Sequence, residues 1–390
     1  MKATLENNRL TLSLEGRIDS SNAPEVEAAL LAAAEAHPGA DIALDAGALE
    51  YISSAGLRVL MKLRKRAKKA LPVLDVSPEV YEILEVTGFT QLLDVKKRLR
   101  KISVEGCERI GAGATGAVYR IDRETIVKVF NPGAGMEIIR QENERSKNAF
   151  LSGIPTAIAY DVVKVGDCYG TVYELLDARD FLAVLLEDRA NLDRHIADFA
   201  RAMRQMHQIK VDPARFPPAK QGSLAALPRL SGVCTPEEID LLRRLYALIP
   251  DRGTFIHGDC HPGNVMVQDG QLLFIDLMTC GSGHPVFDLS SMCSAYHMPP
   301  KFGDRGASPL TRSFTEEECQ HIWEVYLSAY LDTRDEALLR RAERQITAVS
   351  AARTLFATVF IPGLLSKDVV EFLKHTALSY VEDEPEPLCF

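Results

Sequence analysis

Two carboxylates and one amide, Asp259, Asn264 and Asp276, have the residue types and the spacing that chemistry on a nucleotide requires. Asn264 is five positions after Asp259, and Asp276 is twelve positions after Asn264. Phosphoryl transfer needs one carboxylate to accept the proton of an attacking hydroxyl, and oxygen ligands for the magnesium ion that bridges the phosphates. The grouping therefore indicates phosphoryl transfer. The alternative is that these polar side chains only cap a turn.

The segment between Asn264 and Asp276 predicts a hairpin that brings these two residues together. Residues 265–267 and 272–275 are apolar and favour two short strands, and Asp269-Gly270 between them is a strong turn signal. A hairpin returns the chain to its starting point. We therefore expect Asp276 to lie beside Asn264.

A glycine-rich segment precedes this hairpin by about 150 residues, with Gly111, Gly113 and Gly116 in the spacing G-x-G-x-x-G. The same spacing also fits a dinucleotide-binding turn, which requires a helix after the glycines. Residues 117–121 instead have a strand pattern, so we favour a strand-turn-strand flap. Backbone N–H groups of such a flap can close over phosphates where any side chain would intrude.

Lys128 stands between apolar neighbours in a strand pattern, where burial of its charge is costly without an anionic partner. We interpret it as the cation that contacts the α- and β-phosphates of a nucleotide. The alternative is a lysine on an edge strand. Glu142 or Glu144, on the helix predicted near 136–151, would pair with Lys128, although both also fit a solvated helix surface.

Residues from about 105 to 380 resemble the aminoglycoside phosphotransferase and choline-kinase-like branch of the protein-kinase-like fold. The string HGDCHPGN at 257–264 matches the catalytic loop of that family, with HGD in place of the HRD of protein kinases. Residues 275–277 match its metal-binding segment, and residues 283–289 match the structural motif that follows. Residues 277–279 are Leu-Met-Thr rather than the commoner aromatic and acidic pair, and the glycine loop is closer to that of protein kinases.

This resemblance implies a role for each matching residue. Asp259 would be the catalytic base, and Asn264 and Asp276 would be the ligands of Mg²⁺. Lys128 would anchor ATP together with Glu142, which the usual distance to the Gly153-Ile154-Pro155 segment favours over Glu144.

The resemblance also implies three supporting positions. Glu174 and Leu176 fall in the hinge, whose backbone would contact the adenine of ATP. His257 would shape the catalytic loop, and Asp288 would brace it. A zinc site is the competing interpretation of six residues near these motifs, but they lack paired close spacing and overlap the kinase pattern. They are Cys260, His261, Cys280, His284, Cys293 and His297.

The first hundred residues alternate strand and helix patterns. Residues 9–14 alternate with period two, a helix is predicted from Pro24 to about Ala36 with Asn22 as its cap, and 42–44 favour a short buried strand. A second helix begins at Ser53 or Ser54, followed by a strand at 73–76 and a helix at 78–86. This order predicts a small α/β domain.

Ser53 and Ser54 stand where a strand turns into a helix, a position that suits a helix cap and also a phosphate group. The string from Leu49 to Leu60 resembles the phosphorylatable turn of the STAS domain of bacterial anti-sigma factor antagonists. Ser53 occupies the place where many members have Asp, which makes Ser54 the better candidate phosphosite and Ser53 the second. The resemblance implies an anti-sigma-like protein partner. A basic run over 62–69 is interpreted as a solvated face.

Length and composition limit the remaining possibilities. A chain of 390 residues with 46% hydrophobic residues predicts two or three globular domains. We divide it into a STAS-like domain at 1–100, a kinase-like domain at 101–381 and a disordered acidic tail at 382–390. Within the second domain we expect an N-lobe at about 101–176 and a helical C-lobe at about 177–381. The predicted fold class is thus an α/β STAS-like domain plus an α+β bilobal protein-kinase-like domain.

Charge and cysteine usage exclude several functions. The net charge of −9 comes from the region after residue 101, which has 30 Lys and Arg against 40 Asp and Glu. Such an acidic body argues against nucleic acid as a partner. No apolar stretch is long enough for a membrane span, and the eight cysteines are scattered, as in reduced cytoplasmic proteins.

The main hypothesis is an ATP- and magnesium-dependent kinase that phosphorylates a hydroxyl group and is linked to a STAS regulatory module. We favour a small-molecule acceptor over a protein, and the sequence does not identify it. One alternative is a non-enzymatic nucleotide-sensing scaffold of the anti-sigma antagonist type. The other is a protein kinase whose target includes its own Ser54.

Overall fold

The computed structural model describes residues 2–6, 8–67, 71–113, 115–299, 312–360, 363–383 and 386–390. The chain divides into two compact units, Met1–Ile102 and Ser103–Phe390. Each unit has its own hydrophobic core. All eight cysteines are free thiols. Among the helices of the described ranges, none has the length and apolar character needed to cross a membrane.

The first unit is a sheet with helices connecting its parallel strands. Its strands are Ala3–Glu6 (β1), Arg9–Ile18 (β2), Asp41–Ile52 (β3), Pro72–Val76 (β4), Asp94–Lys97 (β5) and Arg100–Ile102 (β6). Its helices are Ala23–Ala36 (α1), Ser54–Arg66 (α2), Pro78–Val86 (α3) and Phe89–Leu92 (α4). The first five strands form one sheet in sequence order, in which β1 is antiparallel to β2 and the remaining pairs are parallel.

The core of this unit follows from the predicted alternation. Leu10, Leu12 and Leu14 of β2 are buried, as period two requires of a strand with one face against the core. Two details of the prediction were wrong. The strand expected at 42–44 extends over Asp41–Ile52, because pairing with the long β2 holds even its polar residues in extended form. Asn22 precedes α1 but does not cap it, since its side chain bonds to the backbone at Asp19 and Arg17.

The second unit begins with an antiparallel sheet and ends in helices. Its strands are Arg109–Gly113 (β7), Gly116–Arg120 (β8), Thr125–Phe130 (β9), Ala159–Val165 (β10), Cys168–Glu174 (β11), Arg179–Asp180 (β12), Thr254–Ile256 (β13), Val265–Gln268 (β14), Gln271–Phe274 (β15) and Gly281–Gly283 (β16). In the sheet formed by the first strands of the second unit, β7 to β11 have the spatial order β10-β11-β9-β8-β7. The central strand β9 therefore has neighbours on both sides.

The helices of the second unit supply most of its core. They are Met136–Leu151 (α5), Phe181–Glu187 (α6), Leu192–Met206 (α7), Ala219–Ala226 (α8), Pro236–Ala247 (α9), Val286–Met292 (α10), Glu316–Leu331 (α11), Glu336–Thr354 (α12), Ala357–Phe360 (α13) and Lys367–Asp383 (α14). A turn at residues 355–356 separates α12 from α13. Trp323, Tyr326 and Phe199 are fully buried among the helices.

The sequence predicted a disordered tail at 382–390, but the described residues of this segment are ordered. Helix α14 continues to Asp383, and residues 386–390 bond to the helical body. The Gln345 side chain donates to Pro387 O and accepts from the Cys389 N–H, and the Phe390 ring packs on His284 at 5.4 Å. Acidic and proline residues suggested disorder, but the three residues that follow, Leu388 to Phe390, are apolar and pack against the core.

Candidate active site

The glycine-rich segment is an antiparallel hairpin made by β7 and β8, with Gly113 opposite Gly116. It has the strand-turn-strand form favoured by the sequence and lacks the helix that a dinucleotide-binding turn requires. A side chain at Gly116 would place its Cβ 2.1 Å from Val129 O, so only glycine fits there. Among the described residues, a Cβ at Gly113 would meet no atom within 4 Å.

Lys128 lies at the centre of an ionic cluster. Its Nζ is 2.9 Å from Glu142 Oε1 and 3.0 Å from Asp276 Oδ1. The Lys128 side chain is 13% exposed and that of Glu142 is 1% exposed, whereas 38% of the Asp276 side chain faces solvent. Burial lowers the pKa of Lys128, but the two carboxylates outweigh burial and raise it, so the ammonium stays charged.

Helix α5 determines where this cluster forms. Glu142 lies on its buried face and accepts from Tyr173 OH at 3.3 Å, while Glu144 is exposed and does not reach Lys128. One turn after Glu142, Arg145 donates to Met278 O, two residues beyond Asp276. The helix therefore positions the lysine partner and also contacts the segment that carries Asp276.

Asp276 and Asn264 are adjacent, as the predicted hairpin requires. β14 and β15 pair from Val265–Phe274 to Gln268–Gln271, and the Ile275 N–H donates to Asn264 O at 3.0 Å. The Asn264 amide nitrogen donates to Asp259 O at 2.8 Å. Because that bond uses the nitrogen, the amide oxygen is the atom left to bind a cation. Asp276 adopts a left-handed backbone with φ of 61°.

Asp288 holds the backbone at the start of the 257–264 loop. Its two carboxylate oxygens accept from the N–H groups of His257 at 2.7 Å and Gly258 at 2.6 Å. His207 lies 2.9 Å from the same carboxylate and 2.8 Å from Tyr330 OH. His257 in turn uses Nε2 to contact Ile275 O at 3.0 Å. Each of these contacts is buried or half-buried, so the loop backbone is firmly held.

The Asp259 side chain points away from this buried network, and 57% of it is exposed. Its Oδ1 lies 4.0 Å from His261 Nε2. Burial lowers the pKa of His261, and this outweighs the nearby Asp259 carboxylate, so the imidazole is neutral near pH 7. An exposed carboxylate beside a neutral ring is suited to accept a proton from an approaching hydroxyl.

The predicted hinge follows β11. Glu174 is the last residue of that strand, and its carboxylate accepts from the Ile158 N–H at 3.2 Å. The Leu175 N–H donates to Glu124 O at 2.7 Å. Within the described residues no hydrogen bond uses the Leu176 N–H, so that donor is open to a ligand.

The turn before α2 in the first unit separates the roles of the two serines. The Ser53 side chain caps the helix by accepting from the N–H groups of Ala55 and Gly56. Ser54 is the first residue of the helix and is exposed. The basic run on α2 lies at the surface, where Lys62 pairs with Glu27 and Arg66 with Glu35. Lys68 and Lys69 lie outside the described residues.

No group of three or more His, Cys, Asp or Glu that could hold a metal ion occurs in the described ranges. The six residues of the zinc interpretation have other contacts. Cys260 is fully buried with its sulfur 3.0 Å from that of Met203, and His284 contacts Phe390 O at 2.9 Å.

Comparison with known families places this site in context. Residues 106–317, more than half of the chain, match the model of the phosphotransferase enzyme family. The chain belongs to that family. Residues 1–94 of this phosphotransferase match the STAS domain model described as Mlab.

Individual relatives cover different parts of the phosphotransferase. A putative anti-sigma factor antagonist, BtrV of Bordetella bronchiseptica, is 37% identical over 101 residues, which are 24% of this chain and 85% of the relative. An ADP-bound aminoglycoside phosphotransferase, APH(2'')-Ib, has 16% identity and a TM-score of 0.48 over 70% of this chain and 93% of its own. A choline/ethanolamine kinase family protein from Mesorhizobium loti has 14% identity and a TM-score of 0.46, over 72% and 88%.

The predicted fold class, a STAS-like α/β domain plus an α+β protein-kinase-like domain, is confirmed. The prediction that the protein is a phosphotransferase enzyme is also confirmed. Sequence reasoning missed three residues that support the site of this phosphotransferase: Arg145 on α5, His207 after α7, and Arg353 on α12, which donates to Gly258 O at 2.6 Å. Each lies far along the chain from its partner, and no local motif marks it. An arginine or histidine within or directly after a helix was the available signal.

Proposed function

We propose that the second unit transfers the γ-phosphoryl group of ATP to a hydroxyl group of a small-molecule acceptor, with Mg²⁺ as the metal. One observation carries the proposal. Lys128 contacts both Glu142 and Asp276, and Asp276 follows a hairpin that starts at Asn264, whose amide bonds to Asp259. A cation for phosphates, oxygen ligands for a metal and a base are thereby joined in one constellation.

The residues present fit a hard divalent cation. The Asn264 amide oxygen and the Asp276 carboxylate are oxygen donors, the atoms that Mg²⁺ prefers. The two residues are joined through the Ile275 N–H, and Asp276 is partly open to solvent. Bound there, Mg²⁺ would neutralise charge on the β- and γ-phosphates of the nucleotide. Asn264 and Asp276 are therefore the residues that would hold it.

The protein groups that would hold the nucleotide lie on three elements. The β7–β8 hairpin contributes Gly111, Gly113 and Gly116, and Lys128 contributes its ammonium. The hinge offers the backbone of Glu174 and the N–H of Leu176, which no hydrogen bond among the described residues uses. These elements bind and orient ATP, which is how catalysts of phosphoryl transfer lower the barrier.

Asp259 acts on the acceptor. Its exposed carboxylate accepts the proton of the acceptor hydroxyl as the hydroxyl oxygen bonds to the γ-phosphorus and the bond to the β-phosphate oxygen breaks. The products are the phosphorylated acceptor and ADP. The carboxylate then releases the proton to solvent.

Gly258 distinguishes this loop from the HRD loop of protein kinases. Its φ is +86°, and a Cβ there would lie 2.4 Å from Thr279 O. The arginine that protein kinases have at this place in HRD does not fit. The loop is therefore built as in the small-molecule branch that the sequence resembles.

For the first unit we propose a regulatory module that binds an anti-sigma-like protein partner through the turn at Ser53 and Ser54. Exposure of Ser54 at the start of α2 supports it as the phosphosite, since Ser53 is engaged as a cap. Phosphorylated Ser54 would alter charge at the partner surface. Eight free cysteines support a cytoplasmic location.

A radiolabel experiment tests the proposed reaction. The full chain is incubated with [γ-³²P]ATP, Mg²⁺ and a panel of aminoglycosides, amino alcohols and sugars. We expect one class to acquire label, with the transfer abolished by EDTA. If label appears only on the chain or on an added protein, the small-molecule acceptor is wrong. Mass spectrometry of residues 47–60 in the same samples shows whether Ser54 is modified.

A further inference from the structure

Arg353 reaches the catalytic loop from helix α12, 95 residues further along the chain. Its Nη2 donates to Gly258 O at 2.6 Å, and its Nη1 donates to Phe287 O and Ser290 Oγ. The guanidinium carbon also lies 5.7 Å from the centre of the Phe287 ring. One side chain thus joins the loop before Asp259 to the helix that carries Asp288.

The carbonyl that Arg353 binds belongs to the peptide unit directly before Asp259. The other end of this unit is the Asp259 N–H, which donates to His257 Nδ1 at 3.3 Å. The preceding peptide is also held, because the Gly258 N–H donates to Asp288 Oδ1. The direction of the Asp259 Cα–Cβ bond is therefore fixed by the anchors of two successive peptides.

Gly258 makes such an anchor necessary. Glycine at a positive φ has no Cβ to restrict it and has more conformational freedom than any other residue. Its backbone must nevertheless place a catalytic carboxylate with little error, since a displacement of about 1 Å can reduce a rate by about a hundredfold. A charge-assisted bond to the Gly258 carbonyl supplies the constraint that glycine lacks.

We propose that Arg353 is a positioning residue, which holds the Gly258–Asp259 peptide so that the Asp259 carboxylate faces the acceptor hydroxyl. The inference rests on the proposed function of Asp259 as base. Two nitrogens of the planar guanidinium serve two separate carbonyls, those of Gly258 and Phe287. Lysine has a single nitrogen and cannot reproduce this geometry.

The test compares Arg353→Ala and Arg353→Lys with a matched control, Arg340→Ala, in the full chain. Arg340 lies on the same helix and is 70% exposed. The reaction measured is Mg-ATP hydrolysis with water as the acceptor. We expect both Arg353 variants to lose about ten- to a hundredfold in kcat, with KM for Mg-ATP within about twofold of wild type. Arg340→Ala is expected to retain both values.

Chemical rescue separates positioning from folding. Millimolar guanidinium chloride should restore part of kcat to Arg353→Ala and leave Arg340→Ala unchanged. A loss of kcat without rescue, accompanied by an equal loss of nucleotide binding, would show a structural role only and overturn the proposal. An unchanged kcat in Arg353→Ala would also overturn it.

Hydrogen exchange provides a readout that does not depend on activity. The amides of 257–259 should exchange faster in Arg353→Ala than in wild type, while the amides of α7 remain unchanged. Equal exchange at 257–259 contradicts the proposal. If wild type itself does not turn over Mg-ATP, the proposed function fails, and the exchange rates alone decide whether Arg353 holds the loop.

Discussion

Glu142 is the residue whose assignment the structure sharpened most. The sequence left Glu142 and Glu144 as partners for Lys128, and only family spacing favoured the first. The structure places Glu142 against Lys128 at 2.9 Å and leaves Glu144 exposed. These two glutamates lie two positions apart on the same helix, one buried and one exposed, so they form a matched comparison.

Replacing Glu142 with Gln removes the buried anion that holds Lys128. We expect Glu142→Gln to reduce kcat/KM for Mg-ATP by about tenfold or more, equivalent to about 1.4 kcal/mol of lost transition-state stabilisation. Glu144→Gln is the control and should stay within about twofold of wild type. Steady-state kinetics with varied Mg-ATP measures both. Equal losses in the two variants would show that the ion pair has no special role.

Gly116 and Gly113 form a second matched pair. A methyl group at Gly116 would collide with the Val129 carbonyl, whereas one at Gly113 meets open space. We expect Gly116→Ala to lower the free energy of unfolding by about 1–3 kcal/mol, the usual cost of overpacking. Gly113→Ala should leave this energy unchanged. Denaturant unfolding measures the difference, and two equally stable variants would contradict the hairpin geometry.

Residue types and spacing predicted much of the site because its parts are local in the chain. Asp259, Asn264 and Asp276 lie within eighteen residues and a two-strand hairpin, so turn chemistry alone brings them together. Arg353 and His207 could not be found this way. Their partners, Gly258 and Asp288, are distant in sequence, and only helix packing creates these contacts.

At the scale of the elements, the contact between His207, directly after α7, and Asp288 of α10 makes the stability of the fold depend on pH. Burial alone raises the pKa of Asp288, but hydrogen bonds from His207 and the His257 N–H outweigh it and hold the pKa below its ordinary value. A carboxylate with a depressed folded-state pKa contributes its stability above its unfolded-state pKa, and loses it as pH falls towards the folded-state value.

We therefore expect the free energy of unfolding to fall as pH drops below about 4, the ordinary pKa of Asp. Asp288→Asn should be less stable at neutral pH and should show a flatter dependence in this acid range. Denaturant unfolding of both chains across the range measures the slopes. Parallel slopes would mean that other carboxylates, rather than Asp288, control acid unfolding.

Element boundaries were predicted well where turn and cap signals are strong, and poorly where pairing or packing decides. Helix α3 begins at Pro78 and ends at Val86 as predicted, with Ser77 as a cap. Strand β3 and residues 386–390 differ because their conformation depends on a distant partner. Parallel pairing lengthens β3, and Gln345 with His284 holds the terminal residues.

The whole molecule consists of two units with separate cores, and this organisation has a thermodynamic consequence. Leu12 is fully buried in the first core and Leu245 is 1% exposed in the second. We expect each Leu→Ala change to cost about 2–5 kcal/mol and to shift mainly the unfolding transition of its own unit. Differential scanning calorimetry resolves this. A single transition that both changes shift equally would contradict two independent cores.

The same division separates the proposed regulatory module from the proposed catalytic site. The proposed nucleotide-binding residues lie between Gly111 and Asp276 in the second unit, while the serine turn lies in the first. A substitution at Ser54 is therefore expected to alter partner binding and to leave phosphoryl transfer unchanged. The scaffold hypothesis is weakened by the complete set of lysine, base and metal-ligand positions, since binding of a partner requires none of them.

The most direct test of the central claim is a single-turnover measurement of phosphoryl transfer from Mg-ATP by wild type and Asp259→Asn. Replacement of the Asp259 carboxylate by an amide preserves the size of this exposed side chain and removes its ability to accept a proton. We predict a loss of about 10²- to 10⁴-fold in the transfer rate, with nucleotide affinity unchanged by calorimetry. Asp198→Asn, an exposed aspartate on α7, is the control. Transfer at the wild-type rate in Asp259→Asn would contradict the account.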